Sequence, residues 1–238
     1  SHIRKLVSSG AHRRKSGEFV CDGHKLLGEA QQWHVPVSAV VFCDGEKPPE
    51  VPGARLVQVS REMMDYIAPS DTPQGVLAVC TRQETPLPEV LTGSRYILLD
   101  SVQDPGNVGT ILRTADAFDC DGMFLVWACA DLYNPKTVRA TMGALFRRPV
   151  WRCAPAQAKA LLSAAGIPLW GAALRCDTVD ARQVDYTRAA VAIGSEGRGL
   201  SEEVLALCDQ TIRLPMSERC ESLNAAVAAA VLLWEMYR

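Results

Sequence analysis

The sequence predicts an α/β protein whose larger part is built on a parallel sheet covered on both faces. Three observations carry that expectation. Short apolar runs alternate with helical segments along most of the chain. The strand segments, such as Tyr96-Ile97-Leu98-Leu99, are apolar on both faces instead of alternating, as strands buried on both sides are. The stretch Thr85-Pro86-Leu87-Pro88-Glu89 interrupts the pattern and reads as a linker. It divides the chain into parts of about 85 and about 145 residues, both of ordinary domain size, and the domains are placed at 1–88 and 94–238.

The elements follow in order. Residues 3–16 read as a basic helix stopped by Gly17. Phe19-Val20-Cys21 is a short strand, and Asp22 can cap a helix running to about Trp33. Val37 to Phe42 and Arg55 to Val59 are strands, Ser60 caps a short helix, and Gly75 to Cys80 is a buried strand. The second part opens with strand Tyr96–Leu99, a helix from about Asn107 to Phe118 and strand Met123–Val126. A helix around Pro135 to Leu145, a strand near Pro149 to Cys153, helix 155–165 and strand 168–173 come next. Strand 189–193, helix 200–207, strand 211–214 and a closing helix from Ser222 complete the pattern. From Leu223 to Leu233 the only polar residue is Asn224. A helix apolar all round needs burial on all sides, which in so small a domain argues for a second subunit.

Composition narrows the function classes. With 48% apolar and 22% charged residues, the 238-residue chain is neither disordered nor short of core material. The longest strongly apolar run, Ala225 to Trp234, is too short to span a bilayer, and the basic, polar start has no apolar signal region. The nine cysteines are odd in number and never spaced C-x-x-C, so neither a metal site nor a disulfide framework is expected, and reduced thiols in the cytoplasm are the plain reading. Net charge is −2, but residues 1–25 carry +4 and the remainder −6. Arg4, Lys5, Arg13, Arg14 and Lys15 form the basic tract, which fits either a solvated helix surface or a phosphate footprint.

Three segments carry chemistry. In the first, Asp100 to Ala115, a strand ends in a loop with Pro105, Gly106 and Gly109 that leads into a helix, with Asn107 as a possible cap and Arg113 among apolar neighbours. Helix N-termini reached by such loops bind anions, and an arginine there suits a phosphate or carboxylate. The second, Gly194-Ser195-Glu196-Gly197-Arg198-Gly199-Leu200-Ser201, has glycines spaced G-x-x-G-x-G, which is neither the dinucleotide fingerprint nor a P-loop. The third, Ile212 to Asn224, opens the apolar helix, with Ser222 as a plausible cap. Asn224 there must be bonded to backbone or placed for a ligand, because a buried amide without partners costs roughly 1–3 kcal/mol.

Taken jointly, in this order, the segments resemble the three motifs of the SpoU (TrmH-type) RNA 2′-O-ribose methyltransferases, within the SPOUT superfamily. The match is complete from Asp100 to Ala115, holds from Gly194 to Ser201 with Ser195 where Asn is commoner, and runs from Leu214 to Asn224. The N-terminal part resembles the small α/β RNA-binding domain, akin to certain ribosomal proteins, that many members carry, through Arg13-Arg14-Lys15…Phe19-Val20-Cys21-Asp22-Gly23 and Pro73-Gln74-Gly75-Val76. The resemblance implies a deep trefoil knot in the C-terminal domain, S-adenosylmethionine as cofactor and a homodimer closed through the last helix. It implies that Gly194, Leu214, Met216 and Leu223 hold the cofactor and that Asn107, Arg113, Glu196, Ser222 and Asn224 form the reacting site. Asp119 stands where the family often has glycine, and Asp tolerates a left-handed backbone better than most residues.

The reaction so implied is methyl transfer to a ribose 2′-OH in structured RNA, ribosomal RNA before tRNA. The 2′-OH must lose a proton in the attack. A guanidinium holds its proton far above neutrality, so Arg113 is expected to pair with substrate phosphate and stabilise the developing oxyanion. Arg4, Lys5, Arg13, Arg14 and Lys15 are expected to contact RNA phosphates, with no metal and no membrane involved. Two other readings stand beside this one: an RNA-binding protein of the same fold without turnover, and a base-modifying SPOUT enzyme. A dinucleotide-binding enzyme is disfavoured by the glycine spacing.

Overall fold

The computed structural model of the chain describes every residue except Glu221. In chain order the first elements are α1 (His2–Ser8), α2 (Gly10–Ser16), β1 (Glu18–Asp22), α3 (His24–Gln32), β2 (Val37–Cys43), β3 (Arg55–Val59), α4 (Arg61–Ile67) and β4 (Val76–Thr81). Then come β5 (Arg95–Asp100), α5 (Pro105–Ala117), β6 (Gly122–Val126), α6 (Pro135–Thr141), β7 (Val150–Arg152), α7 (Pro155–Ala164) and β8 (Leu169–Ala172). The chain closes with β9 (Val179–Asp180), β10 (Ala189–Gly194), α8 (Glu202–Leu207), β11 (Gln210–Arg213) and α9 (Ala225–Tyr237). They form two compact units, residues 1–84 with 131–147 and residues 85–130 with 148–238.

In the first unit the described strands make a sheet ordered β1-β4-β2-β3, with β2 and β3 parallel and the other pairs antiparallel. Strand alternation sorts the core into two layers. Phe19, Cys21, Val76, Ala78 and Cys80 face one way with Leu26, Leu27 and Tyr133. Val20, Leu77 and Val79 face the other with Leu6, Met64 and Ile67. Residues 131–147 lie within the stretch 94–238 assigned by sequence to the second domain, yet they pack with the first unit. The reason is a set of long-range contacts: the rings of Tyr133 and Phe146 lie tilted against Phe19 at 4.8 and 6.3 Å, and Arg13 pairs with Asp131.

Several helix ends differ from the sequence expectation. The basic segment is two helices, because Ser9 is extended and its hydroxyl caps α2. Asp22 does not cap α3; its Oδ2 accepts the Ser70 hydroxyl, and Gly23 takes the cap position. Asp104, not Asn107, caps α5. Asn224, not Ser222, caps α9. Helix α6 stops at Thr141 because Met142 and Gly143 both turn left-handed.

In the second unit the described strands form a parallel sheet ordered β7-β6-β5-β10-β8-β11-β9. The two-residue β9 had no signal in the sequence. Leu98, Phe124 and Trp151 pack on one face with Ala158 and Leu162 of α7 and Val204 of α8. On the sheet's other side α5 and α9 pack on each other, and α9 also on β10. Asp119 has φ +54°, the left-handed backbone expected there. Strand register sets the site: Asp100, Val126 and Gly194 are paired neighbours at the carboxyl ends of β5, β6 and β10. The Asp100 and Gly194 segments both begin on that row.

Candidate active site

The loop after β10 closes on itself. Ser195 N–H donates to the Gly199 carbonyl at 3.1 Å and Gly199 N–H to the Ser195 carbonyl at 2.8 Å. Gly194 permits this closure, since any Cβ there would collide with the backbone of Gly199 and Leu200. The loop is then tied to the neighbouring strand. Asp100, fully buried, accepts Ser201 N–H on Oδ2 at 2.7 Å and the Ser101 hydroxyl on Oδ1. Ser201 in turn caps α8.

The loop projects Glu196 to a point where all three sequence segments meet. Asn107 Nδ2 donates to Glu196 Oε1 at 2.7 Å, Asn224 Nδ2 donates to the same oxygen, and Ala225 N–H approaches it at 3.4 Å. Asn224 Nδ2 also donates to Asn107 Oδ1 at 3.3 Å. Its own Oδ1 accepts from Ala226 and Val227 N–H, which starts α9. The one polar residue between Leu223 and Leu233 is thus both a cap and a link to the loop.

Two cavities share this loop as their wall. One, of about 270 Å³, is mainly apolar, with Ala172, Ile193, Ile212 and Leu232 among its lining. Gly194, Leu214, Met216 and Leu223 all line it, with Glu196 and Ser222 at its polar side. The other, of about 710 Å³, is lined mainly by polar and charged residue types, among them Asp100, Asp104, Asn107, Arg198 and Glu202. Glu196, Ser195, Gly197 and Gly199 belong to both.

Not every expected residue joins this constellation. Arg113 is exposed on α5 and has no side-chain partner among the described residues. Six residues from Asn107, it lies about 120° around an ideal helix and about 9 Å along it. In the basic tract, Lys5, Arg14 and Lys15 are exposed, and the Arg4 guanidinium lies over the Tyr66 ring, 5.1 Å from its centroid. Arg13 corrects the sequence expectation. It is 3% exposed, its Nε and Nη2 donate to Asp131, and its Nη1 donates to the Leu6 and Val7 carbonyls. A guanidinium so enclosed ties α1 and α2 to the rest of the unit and has no face left for phosphate. Sequence reasoning did not single out Asp100 as a site residue, although an acid ending a wholly apolar strand was the available signal.

A closed loop beside an apolar cavity at the carboxyl edge of a parallel sheet defines a nucleotide-type ligand site, since that edge is where open α/β sheets bind ligands. Comparison with known proteins makes the class specific. Residues 94–234 match the SpoU rRNA methylase family, and residues 2–78 match the MRM3-like substrate binding domain. The chain belongs to the SpoU rRNA methylase family. It is 32% identical to the 23S rRNA (guanosine(2553)-2'-O)-methyltransferase RlmP of Bacillus subtilis, over 98% of this chain and 93% of that one. It is 30% identical to the 23S rRNA (uridine(2479)-2'-O)-methyltransferase of Streptomyces viridochromogenes, over 98% and 87%. The S-adenosylmethionine-bound rRNA methyltransferase of Sinorhizobium meliloti superposes with a TM-score of 0.88 at 31% identity, covering 99% of this chain and 92% of that one. The chain is accordingly an RNA 2′-O-ribose methyltransferase that uses S-adenosylmethionine.

The smaller cavity suits that cofactor. Its apolar lining matches an adenosine, and the Glu196 carboxylate matches the cationic sulfonium.

Proposed function

We propose that this enzyme methylates ribosomal RNA in the cytoplasm, with cofactor in the smaller cavity and the target nucleotide in the larger. The observation that carries the reading is the Asn107–Glu196–Asn224 constellation, which stands where the two cavities share a wall. The cofactor, when bound, supplies an electrophilic methyl group. The chain's task is then alignment and handling of the hydroxyl proton. Gly194, Leu214, Met216 and Leu223 hold the adenosine end. Ser222 and Glu196 face the sulfonium end, and Asn107 and Asn224 fix the Glu196 carboxylate. Arg113 pairs with the substrate phosphate and stabilises the developing oxyanion, while water or phosphate accepts the proton.

The active form is a homodimer closed through α9. Val227, Val231, Trp234 and Tyr237 form one exposed stripe on that helix, each 41–50% accessible, with Phe118 edge-on to Trp234 at 5.4 Å. Such a contiguous apolar stripe marks an interface. It also accounts for Arg113: α5 packs beside α9, so dimerisation brings the exposed face of α5 to the partner's site. The segment after β11 returns past the 195–199 loop to α5 and β10, and we propose that it threads there as a trefoil knot. The first unit selects the RNA, with Arg4, Lys5, Arg14 and Lys15 toward phosphates.

The test is transfer of labelled methyl from S-adenosylmethionine to size-fractionated total RNA, with Arg113→Ala as control. Label in one ribosomal RNA, at a single alkali-resistant linkage and absent with the variant, is the expected result. Label confined to tRNA, or alkali-labile linkages at a methylated base, overturns it.

A further inference from the structure

Beyond the motif residues, one side chain at the sheet edge stands out by its backbone. Trp127 follows β6 directly, one residue past the row Asp100–Val126–Gly194. One position past the same row, Ser101 follows the adjacent strand β5 and Ser195 follows β10, one strand further on; both line the larger cavity, as does the residue after Trp127, Ala128. Adjacent strands lie roughly 5 Å apart, so Trp127 stands on the rim of that cavity, beside its lining.

Trp127 has φ +55°, a left-handed backbone that is a genuine outlier for so bulky a residue. Ser101, in the same row, has φ +56°. The surroundings enforce the strained conformation. Cys129 N–H and Arg152 Nη1 both donate to the Trp127 carbonyl, at 3.0 and 3.2 Å. Arg152 Nη2 reaches the Cys129 and Ala130 carbonyls, and Ala130 N–H donates to Val102. One guanidinium thus clamps three carbonyls of a four-residue segment. The held side chain is nevertheless 50% exposed. A structure that fixes a strained tryptophan and then leaves half of it in water gains far less packing from it than an enclosed indole would give. Strain retained in this way gathers at ligand sites.

We propose that Trp127 is a stacking platform for an unpaired base of the RNA substrate, at or next to the nucleotide whose ribose is methylated. The proposal rests on the reading that RNA enters the larger cavity. A base taken out of its helix loses its stacking partners, and an indole face replaces them whatever the base is. Trp127 is therefore a substrate-positioning residue outside the three motifs.

The test uses full-length protein, with ribosomal RNA from cells lacking the enzyme as acceptor. Trp127→Gly removes the platform and relieves the left-handed strain, since glycine adopts that backbone freely. The KM for RNA should rise about 10- to 100-fold, the range that stacking of one base provides. Affinity for S-adenosylmethionine by calorimetry should be unchanged, and the melting temperature unchanged or higher. Trp127→Phe should keep KM within about threefold. A normal KM in Trp127→Gly overturns the proposal, as does a fall in melting temperature that tracks the loss of activity. If the wild type labels no ribosomal RNA, the substrate reading fails separately. Fluorescence quenching by single-stranded oligoadenylate then decides the platform: it should be weaker in Trp127→Phe than in wild type, and equal quenching overturns it.

Discussion

The cavity seam and the basic helices of the first unit both draw attention in the sequence, and the fold treats them in opposite ways. At the seam, Asn107 and Asn224, 117 positions apart, meet on one carboxylate. On α1 and α2, close-set bases part company: Arg13 is buried against Asp131 while Arg14 and Lys15 remain in water. The difference lies in what each pattern encodes. Three motifs in a fixed order specify a tertiary arrangement, because each is meaningful only when the others arrive. A run of like charges specifies a local potential, and it does not say which member the core will take.

The largest expected effect tests the seam. Glu196→Ala removes the acceptor shared by Asn107, Asn224 and Ala225. Loss of alignment of this kind costs roughly 100-fold in rate, so single-turnover methyl transfer should fall by at least that much. Mixing Glu196→Ala with Arg113→Ala sharpens the point. If Arg113 serves the partner's site, heterodimers of the two inactive variants contain one intact site and recover activity. A mixture that stays inactive places Arg113 in its own chain's site and removes one argument for the dimer. Trp234→Glu should give a monomer by sedimentation, with Glu196–Asn224 intact but methyl transfer lost. A dimer that survives this charge at the centre of the stripe moves the interface elsewhere.

The basic helices offer the complementary break. Arg13→Ala leaves a partly buried carboxylate and two carbonyls without their donor, which costs about 3 kcal/mol, read as a lower urea midpoint. Arg14→Ala and Lys15→Ala should change stability by less than about 0.5 kcal/mol. Each should instead lower the slope of log affinity for RNA against log salt by about 1. If Arg13→Ala lowers that slope without loss of stability, the contrast between the two regions collapses.

Much of this was legible beforehand, for reasons that can be named. Strands β5, β6 and β10 announce themselves because burial on both faces demands unbroken apolar runs. The seam residues were legible as motif members, and Asn224 also as an amide in the otherwise apolar run from Leu223 to Leu233. What escaped depends on long-range partners. Asp22 has the chemistry of a cap, but Ser70, 48 positions on, takes its carboxylate. Residues 131–147 lie in sequence between strands of one unit and bury their aromatics in the other, which no local pattern reports. Trp127 reads as one more apolar residue after a strand, and only the folded chain shows its left-handed backbone and its exposure.

The smallest effect concerns a link that belongs to neither region and that no motif or charge tract announces. Asp209 accepts Lys159 Nζ at 2.6 Å and Leu169 N–H at 2.8 Å, joining the end of α8 to α7 and the start of β8. Burial disfavours the Asp209 carboxylate, but the lysine and the backbone donor outweigh it and hold its pKa below the usual carboxylate value. A group depressed in this way adds stability that is complete above its unfolded pKa, roughly 3.9, and that disappears as pH falls through the lower folded value. Its side chain is 48% accessible, so solvent screening limits the contribution to less than about 1 kcal/mol. Asp209→Asn should therefore lower the melting temperature by a few degrees or less at pH 7, and the gap to wild type should narrow as pH approaches 3. A gap of constant size over that range would mean that Asp209 acts through shape and the Leu169 contact alone. Side-chain charge between distant segments would then matter as little here as it does along the exposed face of α2.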